Sequence, residues 1–195
     1  MWDTYQVNSL KQQCRDNRGK GIRRKVTPQS PIPRNWGEFI RVEENKTELF
    51  AFLGREVIAI ATNKQVISTL HDGVVCLQST SVTGISPCTH EEADSRIMLH
   101  VADAARHYNV ILIRTVDSDV VVLAVSAFAQ LMGSLSMLWV AFGTGRNFRH
   151  IPVHEIYSAL GPAKSLALPM FHSITGCDTV SSFAGRGKKT AWEIC

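Results

Sequence analysis

Apolar runs and helically spaced apolar residues alternate along the second half of the chain. Residues 108–115 and 136–142 are continuous apolar runs, typical of strands buried on both faces of a parallel sheet. The segments around these strands have helical periodicity, and we predict helices over 90–105, 118–131, 152–160, 165–175 and from 188 onward. Strands that alternate with helices predict a three-layer α/β/α domain with a central, mostly parallel sheet.

The first half of the chain has a weaker pattern. Three prolines make residues 27–36 a linker, and residues 1–8 resemble the end of a strand. We expect one short helix that ends at a glycine, followed by three strands, over 47–54, 56–61, 65–70 and 74–77.

The longest uncharged run, residues 120–145, is long enough to span a bilayer. Gly133 and Ser134 interrupt it, and acidic residues without a positive flank precede it. We therefore predict a buried helix followed by a central strand, and no membrane association.

Positive charge is concentrated at the beginning of the chain. Residues 1–41 contain nine Lys or Arg and three acidic residues, a net charge of +6, whereas residues 42–195 carry −2. We assign 1–41 to a basic segment, with the end of a core strand and an arm, and 42–195 to the core. A basic arm beside an acidic pocket is suited to a nucleic acid partner, and a solvated basic tail is the alternative.

The cysteine pattern indicates an intracellular protein. The spacing of cysteines and histidines does not favour a zinc site. The five cysteines form no C-x-x-C pair, and no secretory signal begins the chain, so we expect reduced thiols. Cys88 and His90 lack a second pair of zinc ligands at suitable spacing. Packing or surface roles are expected for six of the seven histidines, namely His90, His100, His107, His150, His154 and His172.

Acidic residues recur at the predicted ends of core elements. Asp117 and Asp119 follow the first buried strand, where open α/β sheets bind ligands, and Glu92 and Asp94 begin a predicted helix. Carboxylates that share a pocket require a cation, and oxygen ligands favour Mg²⁺ or Mn²⁺. Helix capping could explain one of Asp117 and Asp119, but not both. The helix dipole could explain the acidic residues Glu92 and Asp94, and Glu91 is an alternative to Glu92.

The third acidic motif contains Asp178, which precedes a glycine- and lysine-rich turn. Gly185, Gly187, Lys188 and Lys189 offer backbone amides and positive charge to a phosphate. A tight turn between two helices is the alternative for this segment. A divalent metal next to a phosphodiester is the arrangement of a metal-dependent nuclease.

The order of these motifs resembles the flap-endonuclease branch of the PIN-like nucleases. Gly176-Cys177-Asp178 and the segment 185–189 are similar to the G-S-D and G-I-G-P-K motifs of that family, where a helix-hairpin-helix-like turn would occupy about 176–195. Met1-Trp2-Asp3 and the basic residues that follow it resemble the family's strand with Asp, Lys and Arg. The segments T-H-E-E-A-D-S-R and F-H-S-I-T-G-C-D-T-V-S-S-F-A-G-R-G-K-K also resemble multicopy animal proteins of the mobile-element kind.

The resemblance implies a catalytic site and its ligands. Lys11, with Arg15 or Arg18, would hold the scissile phosphate. Two Mg²⁺ or Mn²⁺ ions would be bound by six carboxylates, from Asp3, Glu92, Asp94, Asp117, Asp119 and Asp178. The family's first strand would precede Met1, so we expect a copy truncated at its N-terminus.

The function expected from these features is hydrolysis of a phosphodiester in nucleic acid. DNA is favoured over RNA and the nucleus over the cytoplasm, and no obligatory protein partner is inferred. The alternative is a catalytically inactive nucleic-acid-binding module derived from such a nuclease. A Rossmann-like nucleotide-binding protein is disfavoured, because no G-x-G-x-x-G motif follows the early strands.

Overall fold

The structure, a computed structural model, describes residues 1–2, 21–60, 62–71, 73–77, 81–90, 92–176 and 187–194. The chain divides into two compact units, Met1–Arg96 (unit 1) and Ile97–Cys195 (unit 2). The described helices are α1 Trp36–Ile40, α2 Glu43–Ala59, α3 Ala93–Ala104, α4 Ser118–Leu131, α5 Val153–Ile174 and α6 Lys188–Ile194. The described strands are β1 Ile67–Leu70, β2 Gly73–Cys76, β3 Val110–Thr115, β4 Met137–Phe142 and β5 Arg149–Pro152.

In unit 1, helix α2 packs against an antiparallel hairpin formed by β1 and β2. Gly54 lets the helix approach the hairpin closely, because a Cβ there would lie 3.1 Å from the carbonyl oxygen of Thr69. Trp2 stacks on Phe50 of α2, with a distance of 4.8 Å between ring centroids, and its backbone N–H donates to Thr69 Oγ1. Arg96 is buried and donates to the carbonyl of His71 at the hairpin turn.

Residues 21–26 of the basic segment are attached to α2. The buried side chain of Asn45 hydrogen-bonds the backbone of Ile22 and Arg24, and Glu48 accepts from the N–H of Val26 at 2.9 Å. Glu48 also forms an ion pair with Arg23. Residues 21–26 therefore follow a defined path without regular secondary structure.

Unit 2 contains a three-stranded sheet in the order β3-β4-β5. Strands β3 and β4 are parallel, with Ile113 opposite Val140, and β5 is antiparallel to β4. Helices α4 and α5 pack against each other and bury an apolar cluster with the sheet. That cluster includes Ile113, Val120, Ala124, Val125, Phe128, Leu138, Val140, Val153 and Tyr157.

Helix α5 consists of two helical segments joined at a kink. Gly161 has φ 76° and ψ 169°, which is not helical, and Pro162 follows it. The first segment buries Val153 and Tyr157, whereas the second carries His172 in its last turn. The two helices predicted over 152–160 and 165–175 are therefore confirmed.

The predicted fold class is confirmed. The protein is mixed α/β, with a sheet flanked by helices, consistent with a three-layer α/β/α fold. The uncharged run contains α4 and then β4, the middle strand of its sheet, as expected. In the described ranges, no helix is long and apolar enough to cross a membrane.

Three expectations about elements are wrong. The helix predicted over 47–54 begins at Glu43 and continues through Gly54 to Ala59, so residues 56–59 are helical rather than a strand. The glycine permits close packing on β1 instead of ending the helix. The strand predicted over 108–115 is buried on one face only, since Val110 and Leu112 are exposed while Ile113 lies in the core. β3 is an edge strand of the described sheet.

Candidate functional site at the carboxyl edge of the sheet

Strands β3 and β4 end side by side, with Thr115 opposite Phe142. The guanidinium of Arg114 donates to the carbonyls of Thr115 and Ala141, at 2.7 and 3.0 Å. It also donates to the carbonyl of Gly143 at 2.7 Å. Arg114 thus joins the carboxyl ends of the two parallel strands and the loop after β4. The sequence pattern did not single out this residue.

Asp117 is the N-cap of α4. Its backbone is extended, with φ −96° and ψ 128°, and its side chain accepts from the N–H of Asp119 at 2.9 Å. Its own N–H donates to Thr115 Oγ1 at 3.0 Å. Such a cap compensates one of the unpaired amides at the start of a helix. The capping role left open in the sequence is therefore present at Asp117.

Asp119 lies in the first turn of α4, where its carboxylate contacts a histidine. Its Oδ1 is 2.9 Å from Nε2 of His172, which lies in the last turn of α5. The Asp119 side chain is 41% exposed and the His172 side chain is 15% exposed. The second carboxylate of the D-x-D motif is thus accessible to solvent on one side and attached to α5 on the other.

Lys188 completes a network with these two residues. Its Nζ lies 2.9 Å from Nδ1 of His172 and 3.4 Å from Nε2. A lysine ammonium has only donors, so Nδ1 accepts from it and Nε2 carries the hydrogen that is donated to Asp119. We call Asp119, His172 and Lys188 the Asp–His–Lys network. It links the first turn of α4 and the last turn of α5 to the start of α6.

The structure brings together two predicted site residues and adds a third. Asp119 was expected as a metal ligand and Lys188 as a phosphate-binding residue, and His172 joins them. The sequence prediction gave His172 a packing or surface role. The feature of the sequence that could have indicated a site role for His172 is its position in the F-H-S-I-T-G-C-D segment, six residues before Asp178.

The other described residues of the glycine- and lysine-rich turn lie at the start of α6. The carbonyl of Gly187 accepts from the N–H of Ala191 at 3.1 Å, and both Lys188 and Lys189 are exposed. Among the described atoms, none lies within 4 Å of a Cβ placed on Gly187. Packing against the described residues therefore does not require a glycine at this position.

Glu92 and Asp94 belong to unit 1, whereas Asp117 and Asp119 belong to unit 2. The carbonyl of Glu92 accepts from the Ser95 hydroxyl at 3.1 Å at the beginning of α3, and Asp94 lies in the first turn of that helix. Several predicted site residues lie outside the described residues, namely Asp3, Lys11, Arg15, Arg18, Asp178 and Gly185, as does the alternative Glu91. The convergence of six carboxylates remains a prediction.

The described residues alone do not form a metal centre. Within this part of the chain, no three His, Cys, Asp or Glu side chains are grouped so that they could hold an ion. Asp117 and Asp119 provide two carboxylates, and any site here would need a further ligand such as Asp178. The two Mg²⁺ or Mn²⁺ ions remain a prediction.

The chain matches no family model, no curated protein and no solved structure. Its motifs therefore remain the basis of the resemblance to PIN-like nucleases.

Proposed function

We propose that this chain is a nuclease-like domain that binds nucleic acid and hydrolyses phosphodiester bonds. The Asp–His–Lys network carries the proposal, because it places a lysine and a histidine beside a carboxylate at the carboxyl edge of the sheet. Ligands of open α/β sheets bind at this edge. DNA is the proposed substrate, and the nucleus is the proposed site of action.

Each residue of the network has a distinct proposed role. Lys188 supplies positive charge to the phosphate and to the negative charge that grows in the transition state. His172 holds or moves a proton at Nδ1, the nitrogen that faces Lys188. Asp119 fixes the ring by accepting the hydrogen of Nε2. A bound Mg²⁺ or Mn²⁺ would be held by Asp117, Asp119 and a further ligand such as Asp178, and it would supply positive charge to the phosphate. A dependence on Mg²⁺ or Mn²⁺ is part of the proposal and is tested by experiment.

The proposal is tested by cleavage of flap, nicked and single-stranded DNA with Mg²⁺ or Mn²⁺. We expect cleavage by the unmodified chain and its loss when a chelator is added. Asp119→Asn should lower the rate about 100-fold, since it removes the negative charge that supports His172. His172→Gln should cause a loss of similar size.

The matched control is Glu155→Gln, which removes an exposed carboxylate elsewhere in unit 2. It should cleave like the unmodified chain, and circular dichroism should show the same fold for all variants. Equal cleavage by the unmodified chain and Asp119→Asn would contradict the hydrolytic role of the network.

A second candidate function is nucleic acid binding without turnover. It is favoured by the engagement of both carboxylates of the D-x-D motif, one as a helix cap and one with His172. In that case the same assays give no cleavage under any metal condition. Binding then weakens steeply with salt, because lysine and arginine contacts to phosphates release counterions, and it survives Asp119→Asn.

A further inference from the structure

The second half of α5 and helix α6 enclose an apolar pocket beside the network. The pocket has a volume of about 310 Å³ and is lined by Lys164, Leu168, Met170, Phe171, Ile174 and Trp192. This volume is at the lower end of the range for small-ligand sites, roughly 300–1,000 Å³. A pocket of this volume can accommodate a single ring system.

Two aromatic rings form one wall of the pocket. Phe171 and Trp192 meet edge to face, with 5.2 Å between ring centroids and an angle of 77°. Trp192 is 39% exposed, so part of its indole is accessible to a ligand. An accessible indole is a platform on which a nucleic acid base stacks.

Positive charge borders this apolar wall. The Lys164 ammonium lies 5.7 Å from the centroid of the Trp192 ring. Lys188 contacts His172, which follows Phe171 in the chain, and Lys189 is exposed next to it. The described residues 162–174 and 187–194 carry three lysines and one acidic residue, Glu193. A ligand that is flat and apolar at one end and anionic at the other matches this distribution.

We propose that the pocket binds an unstacked base of single-stranded nucleic acid while the lysines beside it contact the flanking phosphates. The proposal rests on the proposed function and adds the form of the substrate, a single strand. A base on Trp192 would place the adjoining phosphate near Lys164 or Lys188, and Lys188 is a member of the network. The pocket would thus position a strand with respect to the site of hydrolysis.

Binding, rather than cleavage, tests this proposal. The probes are a short single-stranded oligodeoxythymidine and an oligomer of equal length that lacks bases, both at constant salt and without added metal. We expect tighter binding of the base-bearing oligomer and quenching of tryptophan fluorescence. Trp192→Ala should weaken that binding about 10-fold or more, whereas Trp192→Phe should retain much of it.

Tyr108→Ala is the matched control. Tyr108 is 55% exposed and lies in unit 2 just before β3, at the end of the sheet opposite the candidate site, so its removal should leave the dissociation constant unchanged. Met170→Glu provides a second variant, since it adds a negative charge to the exposed edge of the pocket and should also weaken binding. Circular dichroism confirms that each variant is folded.

Two outcomes would overturn the pocket as a base-binding site. One is equal affinity for the base-bearing and base-free oligomers, and the other is unchanged binding by folded Trp192→Ala and Met170→Glu. Self-association that disappears in Trp192→Ala without a change in oligomer binding would identify a second copy of the chain as the occupant instead. Base-dependent binding without cleavage would refute hydrolysis and leave the base-binding pocket intact. Cleavage that is unchanged in Trp192→Ala would support hydrolysis and refute the base-binding pocket.

Discussion

The buried side-chain amide of Asn45 helps to hold residues 22–24 of the basic segment against α2. The Nδ2 group of Asn45 donates to the carbonyls of Ile22 and Phe39, both at 2.8 Å. Its Oδ1 accepts from the backbone of Arg24 and from the side chain of Arg23. All the usual donors and acceptors of the amide are used, so its burial costs little and fixes one path for the segment.

Asn45→Ala should lower the free energy of unfolding by about 2–4 kcal/mol, because it leaves buried backbone groups without partners. Chemical denaturation measures the change. Asn63→Ala removes an exposed asparagine of the same unit and should alter the free energy by less than about 0.5 kcal/mol. A similarly small change for Asn45→Ala would show that the segment does not depend on this amide.

Single residues also show where the sequence was ambiguous. An aspartate that follows a strand and precedes a helix is equally suited to capping and to ligand binding, and Asp117 does cap α4. The role of Asp119 depends on a partner 53 residues later in the chain, His172. No local pattern encodes such a contact, since it is created when α5 packs on α4.

At the scale of elements, the loop after β4 depends on glycine. Gly143 has φ +82°, and a Cβ there would lie 2.6 Å from the carbonyl oxygen of Asn147. Its own carbonyl accepts from Arg114, so a shift of this loop would disturb the link between the parallel strands. Gly145 also has a positive φ, +52°, but no described atom lies within 4 Å of a Cβ on it.

These two glycines form a matched pair for mutation. Gly143→Ala should cost about 2–4 kcal/mol in the free energy of unfolding, because backbone strain is added to a clash with the main chain. Gly145→Ala adds strain alone and should cost about 1 kcal/mol. Thermal or chemical denaturation compares them, and equal losses would show that the contact with Asn147 is unimportant.

The helices and strands of unit 2 were more predictable than those of unit 1. Strongly apolar runs such as β4 and the periodic pattern of α4 leave little ambiguity, and both elements lie where they were predicted. In unit 1, Gly54 was predicted to end a helix, whereas its lack of a side chain allows α2 to pack closely on β1. Strand β5 was not predicted, since its four residues contain polar side chains.

At the scale of the whole molecule, protonation should affect unit 1 through Glu48. The N–H of Val26 and then the side chain of Arg23 lower the pKa of Glu48 below its usual value of 4.5. A carboxyl group with a lowered pKa stabilises the folded state above its unfolded pKa, and this contribution is lost as pH falls through the folded pKa. The contribution is therefore complete at neutral pH, begins to decrease near pH 4.5 and is lost once the pH is below the lowered pKa of folded Glu48.

Glu48→Gln should lower stability at pH 7, and the difference from the unmodified chain should shrink as the pH is decreased below 4.5. Denaturation curves between neutral and acidic pH measure it. The control is Glu56→Gln, which changes an exposed glutamate elsewhere in α2. A difference that is constant over this pH range would show that Glu48 acts through packing rather than through its charge.

The fold class could be predicted from the sequence, but only part of the candidate site could. The class follows from alternating elements, whose patterns are local. The carboxylates were selected because they follow strands or begin helices, and this locates Asp119 at the sheet edge but does not identify its neighbours. The network became visible only when the last turn of α5 and the first turn of α6 were placed beside α4.

The kink at Gly161 separates two tasks within one helix. The segment before it anchors Val153 and Tyr157 in the apolar cluster, and the segment after it carries both His172 and the wall of the pocket. A change in the angle between the two segments would move the His172 imidazole and the pocket wall together, while the first segment kept its place in the apolar cluster. A substitution that alters φ and ψ at Gly161 would therefore change the direction of the second segment and leave the residues of the first segment in the apolar cluster.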